Sequence, residues 1–447
     1  MEQPFSPSVS TQVQRLLSQL KFAAKAWREW NRDKSLPADR WVARIFAENR
    51  KVIGSRDRRF ISGAVHEAFR NQSFYDYWIQ KFAQSDIRDP VKYAKFLCLF
   101  GAAKDGSVDE AVFAAAWNEI KDQAQLENPQ ELFQIIREHK ISETESEISR
   151  TGWLALKYSF PGWLVDRWIK VFGDAECEAI LRATHDRPPL VIRTNSLKIS
   201  REMLLDQLGA EGGPEVIAGT AQGIRFQKHT QVKNLHAFED GLFEIQSEAS
   251  QRVVELVAPS PGEKIWDVCA GGGGKTLFLA ALLQNQGLVV ATDLRSLALK
   301  ELKLRAARAG AENIKVADIQ RFYKHEAQDQ FDKIVIDAPC SGTGTIGRAP
   351  DLKWRLEEKS FEDYAVRQME ILEMALGYLK PLGKMYYMTC SIDPTENEDV
   401  MERFLSRHSE LILDDLNGLA TKGLRMWPHR ENTDGFFMAV FKKKENV

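Results

Sequence analysis

The sequence predicts an α/β fold in three parts: an all-α block at the amino end, a small α+β module, and a carboxyl half built on a mainly parallel sheet. Three observations carry this reading. Before residue 185 apolar residues recur every three or four positions, and strand alternation is hardly visible. From Gly262 short apolar runs alternate with helical stretches, the pattern of strands joined by crossover helices. Two of those runs end in polar turns that carry a cysteine, Cys340 and Cys390.

Composition sets the outer bounds. The chain has 447 residues, 44% hydrophobic and 28% charged, enough for two or three cores and typical of a globular protein. Its five cysteines, Cys98, Cys177, Cys269, Cys340 and Cys390, form no Cys-x-x-Cys pair. The start Met1-Glu-Gln-Pro-Phe5 lacks the basic and apolar regions of a secretory signal. Reduced thiols in the cytoplasm are therefore expected, not a disulfide framework. No apolar run approaches the roughly 20 residues of a membrane-spanning helix, and no cluster of His, Cys and acidic residues has metal-ligand spacing. Neither a membrane nor a metal is an expected partner. The net charge of -2 conceals an asymmetry, because residues 1–100 hold 18 Lys and Arg against 10 Asp and Glu. Such a basic block suits either attraction to a phosphate backbone or a solvated helical surface without a partner.

The helical block, residues 1–145, opens with Val13, Leu16, Leu17, Leu20, Ala24 and Trp27 on one face of an amphipathic helix. A second helix opens at Ser55-Arg-Asp-Arg-Arg59 and sets Phe60, Ala64, Val65, Ala68 and Phe69 on its apolar side; helical pattern returns around residues 93–100 and 111–120. The acidic stretch Ser142-Glu-Thr-Glu-Ser-Glu-Ile148 reads as a linker or an exposed helix end, with a boundary near residue 145. In the module, residues 150–235, a helix continues through residues 163–168. Residues 188–195 form the first clear strand, with Pro at its start as strand usage allows, and 201–208 are helical. Arg193, Arg225, Lys228 and Lys233 either meet phosphate or lie scattered on the surface. The third part, residues 236–447, reads as strands at 264–268, 288–293, 314–317, 333–337 and 383–389, with two more near 411–416 and 436–441. A doubly wound sheet follows, with its ligands at the carboxyl ends of the strands.

The first of those strands runs into Asp267-Val-Cys-Ala-Gly-Gly-Gly-Gly-Lys-Thr276, and four consecutive glycines permit close ligand approach that side chains prevent. The Walker A pattern fails by one position, since it requires Gly where Cys269 stands; a dinucleotide loop is the other glycine-rich turn to consider. Asp293 ends the second strand, where a carboxylate can accept hydrogen bonds from both ribose hydroxyls. Asp318 follows the third, at the position expected to face an adenine amino group, and Asp337 ends the fourth. For any one aspartate a helix cap is the ordinary alternative. A glycine loop with acids at three successive strand ends suits a nucleoside without phosphate, such as S-adenosylmethionine.

Cys340, in Asp337-Ala-Pro-Cys-Ser-Gly-Thr-Gly344, and Cys390, in Met388-Thr-Cys-Ser-Ile392, fall at the same edge. Most free cysteines are small buried hydrophobes, but these two sit in turn sequence. The chemistry that suits them is methylation of cytosine at carbon 5: a thiolate adds to carbon 6 and makes carbon 5 nucleophilic toward a methyl donor. An ordinary thiol pKa of about 8.5 calls for a lowered pKa or a nearby proton acceptor. Asp337, protonated beside ring nitrogen N3, would support the addition, and a base must then remove the carbon-5 proton so that the thiol leaves. The residues alone leave open which cysteine attacks.

Across residues 267–276, 337–344, Thr389-Cys-Ser-Ile392 with Pro394 and Glu396-Asn-Glu398, and Asp434-Gly-Phe-Phe437, the chain resembles the RsmB/Nop/Sun family of RNA cytosine-5 methyltransferases. The resemblance covers about residues 150–447, and the helical block, above all Arg56-Asp-Arg-Arg-Phe60, is similar to the NusB-like RNA-binding domain of bacterial 16S rRNA members. It implies a class I methyltransferase fold, Rossmann-like, with a mainly parallel seven-stranded sheet. It implies Cys390 as nucleophile and Cys340 as the residue that assists product release, the reverse of a DNA cytosine methyltransferase, where the Pro-Cys thiol attacks. S-adenosylmethionine would be held by Cys269, Ala270, Gly271, Gly272, Gly273, Gly274 and Lys275, with Asp293, Asp318 and Asp337. Gly271-Gly272 stand where the family commonly has Ala-Pro, a departure whose added backbone freedom bears on cofactor affinity. The implied activity is methylation of carbon 5 of a cytosine in RNA, foremost small-subunit (16S) rRNA; the sequence does not fix the oligomeric state, for which a monomer is the simplest expectation. A tRNA substrate and a non-catalytic RNA-binding or ribosome-assembly role are the alternatives.

Overall fold

The computed structural model describes residues 8–82, 89–120, 129–141, 147–210, 212–228, 230–319, 322, 330–415 and 423–445. They form two compact units, one of residues up to 186 with 346–358, the other of 187–345 with 359 onward. The boundary expected near residue 145 lies outside the described residues. The first unit continues through three helices that the sequence reading places beyond it.

The first unit is helical: α1 (Val9–Arg32), α2 (Ala38–Glu48), α3 (Ser55–Arg70), α4 (Gln72–Phe82), α5 (Pro90–Lys104), α6 (Glu110–Ile120), α7 (Pro129–Glu138), α8 (Arg150–Lys157), α9 (Gly162–Phe172) and α10 (Asp174–His185). α5 is apolar on nearly every side, as a helix at the centre of a bundle must be, and buries Phe96 through Ala103 without a gap. α3 crosses it closely at Gly101, where a Cβ would lie 2.5 Å from the Ala64 carbonyl oxygen. The predicted stripe of α1 is buried at Val13, Leu16, Leu20, Ala24 and Trp27. Asp57, inside the arginine-rich stretch, accepts from the Gly54 N–H at the start of α3 and from Arg15 and Gln19 of α1. With Lys25 and Arg44 both on Glu48, part of the basic excess is compensated locally.

Residues 346–358 interrupt the second unit in sequence but pack in the first. The Trp354 indole donates to the Phe69 carbonyl at 2.7 Å, and Lys353, 1% exposed, donates to the Arg70 carbonyl at 3.0 Å. Arg70, also buried, donates to the carbonyls of Gly347 and His185. Asp351 accepts from the Ala38 N–H that starts α2.

The second unit holds two sheets. The smaller is antiparallel, in the order β2 (Pro214–Val216), β3 (Gly223–Phe226), β1 (Leu190–Thr194), β4 (Phe243–Ile245). Here the sequence reading of Arg193 needs correction. Its side chain is 2% exposed, its Nε donates to Gln246 Oε1 at 2.7 Å, and its guanidinium lies 4.3 Å from the Phe278 ring centre. Burial pulls its pKa down to about 9, so it is neither a surface charge nor a phosphate contact. Arg225 is paired with Glu248 at 3.0 Å.

The large sheet contains β5 (Lys264–Asp267), β6 (Leu288–Asp293), β7 (Ile314–Asp318), β8 (Phe331–Asp337), β9 (Leu379–Thr389), β10 (Leu411–Leu413), β11 (Leu424–Met426) and β12 (Phe436–Lys443). Its order is β10-β12-β9-β8-β5-β6-β7, parallel from β9 to β7, with β12 antiparallel on β9. The seven expected strands form this path. β11 is an eighth, three residues long, sharing an edge of β12 with β10. Ile334, Val335 and Ile336 of β8 are all fully buried, as a parallel strand covered on both faces requires. The chain runs outward from β5 through β6 to β7 and then returns to β8 on the other side. The switch point, where open sheets bind ligands, therefore lies at the carboxyl ends of β5 and β8.

Candidate active site

Four parallel strands end in an aspartate: Asp267 on β5, Asp293 on β6, Asp318 on β7 and Asp337 on β8. Register sets Asp293 beside Asp318 and Asp337 beside Met388, one residue before the end of β9, so the loops of all five strands leave from one edge.

The glycine loop joins β5 to the helix Gly274–Leu282. Gly271 and Gly273 have φ of 56° and 87°, and a Cβ on Gly273 would lie 2.6 Å from Leu302 Cγ, so this turn is open to glycine and little else. The Gly271 N–H donates to Asp293 Oδ2 at 2.8 Å, and the Arg305 guanidinium donates to the Gly272 carbonyl at 2.6 Å. Beneath the loop, Thr276 Oγ1 donates to Asp267 Oδ2 at 2.6 Å, while Asp267 Oδ1 is buried without a hydrogen-bond partner. Burial raises the pKa of Asp267 to about 7. Cys269 lies in the loop with its thiol pushed up by burial and three surrounding carboxylates, a poor nucleophile. The loop amides at a helix N-terminus, and paired carboxylates at two adjacent strand ends, fit an adenosine that carries no phosphate. Arg295, its side chain 72% exposed, donates to both carboxylate oxygens of Asp293; a ribose would take those acceptors by displacing it.

The thiols that the sequence singled out are neighbours, with Cys340 Sγ and Cys390 Sγ 3.4 Å apart. Lys275 Nζ lies 2.5 Å from Asp337 Oδ2 and 5.2 Å from the centre of the Phe436 ring. Burial works against the Lys275 charge, but Asp337, aided by Cys390 and Asp267, overcomes it and raises the pKa of the ammonium. Cys340 has the opposite surroundings. The hydrogen bond with Cys390, then burial, then negative charge at Cys390, Glu396 and Asp337 hold its thiol well above the usual range.

Sequence reasoning quoted Glu396 as part of a motif but gave it no role. Its buried carboxylate accepts from Ser341 Oγ at 2.5 Å, the Ser341 N–H at 2.7 Å, Ser391 Oγ at 2.6 Å and Gln368 Nε2 at 3.2 Å. Ser341 follows Cys340 and Ser391 follows Cys390, so one carboxylate ties the two cysteine turns together. The Gly344 N–H, donating to the Cys390 carbonyl at 2.8 Å, adds a second tie. The available signal was the repeated Cys-Ser step with a glutamate five residues after the second serine.

Burial raises the pKa of Glu396 from 4.5 to about 7. The folded state then binds this proton more tightly than the unfolded chain, so its contribution to stability is full below pH 4.5 and falls as pH rises to about 7. Glu396→Gln has no such proton. Its stability relative to wild type is therefore expected to rise by roughly 2–3 kcal/mol between pH 4.5 and pH 8, read from melting curves; a pH-independent difference would show that Glu396 is not perturbed.

A mainly parallel sheet with a glycine turn at its switch point, acids along the next strand ends and a thiol pair beside them defines a class I methyltransferase whose cofactor is S-adenosylmethionine. The chain belongs to the 16S rRNA methyltransferase RsmB/F family, whose model matches residues 254–442; the RsmF/B-like ferredoxin-like domain matches residues 160–233. It is 36% identical over 292 residues to the ribosomal RNA small subunit methyltransferase B of Serratia proteamaculans, a match covering 64% of this chain and 67% of that protein. It is 29% identical over 407 residues to the probable ribosomal RNA small subunit methyltransferase B of Synechocystis sp., covering 87% of this chain and 91% of the relative. The crystal structure of PH0851 is similar over 99% of this chain and 100% of its own, at 26% identity and a TM-score of 0.76. No helix among the described residues is long and apolar enough to cross a membrane, and no group of three or more His, Cys, Asp or Glu among them could hold a metal.

Proposed function

We propose that the protein methylates carbon 5 of a cytosine in 16S rRNA, with Cys390 as the nucleophile and Cys340 as the residue that releases the product. The observation that carries this reading is the charge asymmetry across the thiol pair. Cys390 acts on the Lys275 ammonium, whereas Cys340 feels the carboxylates of Glu396 and Asp337. Cys390 thus has the cation beside it and Cys340 the anions, and in this reading the attack belongs to Cys390.

As a thiolate, Cys390 Sγ adds to carbon 6 while a proton passes from the Lys275 ammonium through Asp337, 2.5 Å away, to N3. Bound at residues 269–275 with Asp293 and Asp318, S-adenosylmethionine supplies the methyl group that carbon 5 then takes. Once bonded to carbon 6, Cys390 carries no charge and no longer draws on the Cys340 hydrogen. The hydrogen bond that does most to hold Cys340 protonated then lapses, and Cys340 gives its proton to solvent. Deprotonated Cys340 accepts the carbon-5 hydrogen, the C5=C6 bond re-forms, the bond from carbon 6 to Cys390 Sγ breaks, and N3 returns its proton to Asp337. Residues 236–447 are the catalytic domain in this reading and residues 150–235 the module before it. Residues 1–145 bind RNA, with Arg56 and Arg58 exposed on the first turn of α3.

Bisulfite sequencing of total RNA from a deletion strain tests the reaction and the substrate together. The expected result is the loss of one methylated cytosine in 16S rRNA, restored by the wild-type gene. Loss in a tRNA instead would move the substrate. No loss in any RNA, with no calorimetric binding of S-adenosylmethionine, would favour a non-catalytic assembly role.

A further inference from the structure

The four-glycine loop has more backbone freedom than a cofactor site can use. Gly271 and Gly273 need theirs, since both have positive φ. Gly272 does not: its φ is not positive, and a Cβ there would meet nothing nearer than Arg305 Nη1 at 3.1 Å, the movable end of a side chain. A glycine between two left-handed glycines gives the loop many conformations unless something outside it holds the backbone, and binding must exclude them.

Arg305 lies on the helix Ser296–Ala309, which follows β6 and its terminal Asp293. Its Nη1 donates to the Gly272 carbonyl at 2.6 Å, while its Nε and Nη2 donate to Glu244 Oε2 at 3.2 and 2.8 Å. Glu244 stands on β4 of the small sheet, in register with Arg193, with its side chain only 4% exposed and its other oxygen 2.5 Å from Arg308. The small module and the same helix are joined again by Asn195 Nδ2, which donates to the carbonyls of Gly241 and Ala309 at 2.8 Å each. The guanidinium that grips the loop is thus aimed by a buried carboxylate on a separate, rigid sheet.

We propose that Arg305, oriented by Glu244, is a positioning residue for the cofactor loop: it restrains Gly272 and so sets the affinity for S-adenosylmethionine. The proposal rests on residues 269–275 being the cofactor loop. Arg305 acts through the Gly272 carbonyl, and its replacement leaves Glu244 paired with Arg308. The small sheet thereby acts on cofactor binding through a single backbone carbonyl. A charge-assisted hydrogen bond of this kind corresponds to about a tenfold change in binding.

Calorimetry with S-adenosylmethionine on the full chain tests this in four variants. Arg305→Met is expected to weaken binding about tenfold, with an unchanged melting temperature and faster amide hydrogen exchange at residues 270–274 in the cofactor-free protein. Gly272→Pro stiffens the loop by another route, so Arg305→Met placed in that background should cost no more than about twofold. An Arg305→Met affinity equal to wild type, or the same tenfold loss with and without proline at position 272, overturns the proposal. Asp293→Ala separates that failure from a misplaced site. If it leaves affinity unchanged the cofactor loop itself is wrongly assigned; if it abolishes binding while Arg305→Met does nothing, only the role of Arg305 falls.

Discussion

Replacing Cys390 with alanine is expected to lower methyl transfer by about 10⁴-fold or more, as removal of a nucleophile does when the rest of a site is intact, with the affinity for S-adenosylmethionine unchanged. Replacing Cys340 with alanine is expected to give a different failure. Attack and methylation proceed, the carbon-5 hydrogen has no acceptor, and an RNA adduct accumulates that survives denaturation. The two variants are distinguishable on a denaturing gel after incubation with RNA and methyl donor. The expectation follows from the unequal surroundings of sulfurs only 3.4 Å apart. Without Cys340, Cys390 keeps the Lys275 ammonium in its surroundings. Without Cys390, Cys340 keeps its carboxylate neighbours and its burial, so it does not take over the attack. An adduct in Cys390→Ala but not in Cys340→Ala would exchange the roles. Methylation by both variants at the wild-type rate would remove the covalent mechanism.

That the two cysteines come together at one sheet edge was legible in the sequence, because both follow apolar runs that a parallel sheet must align. The run Ile334-Val335-Ile336 and the run from Met385 to Met388 are buried strand cores, and their ends had to emerge at the same edge. The aspartates at the ends of β6, β7 and β8 were legible for the same reason. Two features were not. β11 is three residues at a sheet edge, too short for an alternating pattern to show. Residues 346–358 received no assignment from the sequence pattern, and Asp351 and Lys353 are buried in the helical unit by backbone partners that no local pattern encodes. Arg193 was misread for a related cause: a strand position that buries an arginine against a phenylalanine looks no different in sequence from one that exposes it. The pairings that tune the thiols are long-range. Lys275 meets Asp337 across 62 positions and Ser341 meets Glu396 across 55, so spacing along the chain could name the candidates but not join them.

Asp337→Asn is the second variant with a large expected effect: kcat falls by about 10³-fold while the affinity for S-adenosylmethionine changes by less than tenfold. Asparagine keeps the shape and one acceptor of the carboxyl group but cannot pass a proton to N3, and loss of general-acid help of this kind is worth about 10²–10⁴ in rate. A second loss adds to it. Lys275, its side chain 11% exposed, depends on Asp337 to hold its charge against burial. With an uncharged neighbour its pKa falls, and the positive charge in the surroundings of Cys390 weakens. The two effects are separable by pH. If Asp337 acts only as the proton donor, the variant loses rate equally at every pH. If it also maintains the Lys275 charge, the activity of Asp337→Asn falls away at lower pH than that of wild type, because the lysine gives up its proton sooner. Crossing the variant with Cys340→Ala reads the attack step directly, since the trapped adduct should then form about 10³-fold more slowly. A weakened affinity for S-adenosylmethionine with kcat unchanged would instead assign Asp337 to cofactor binding and leave the proton for N3 to another donor.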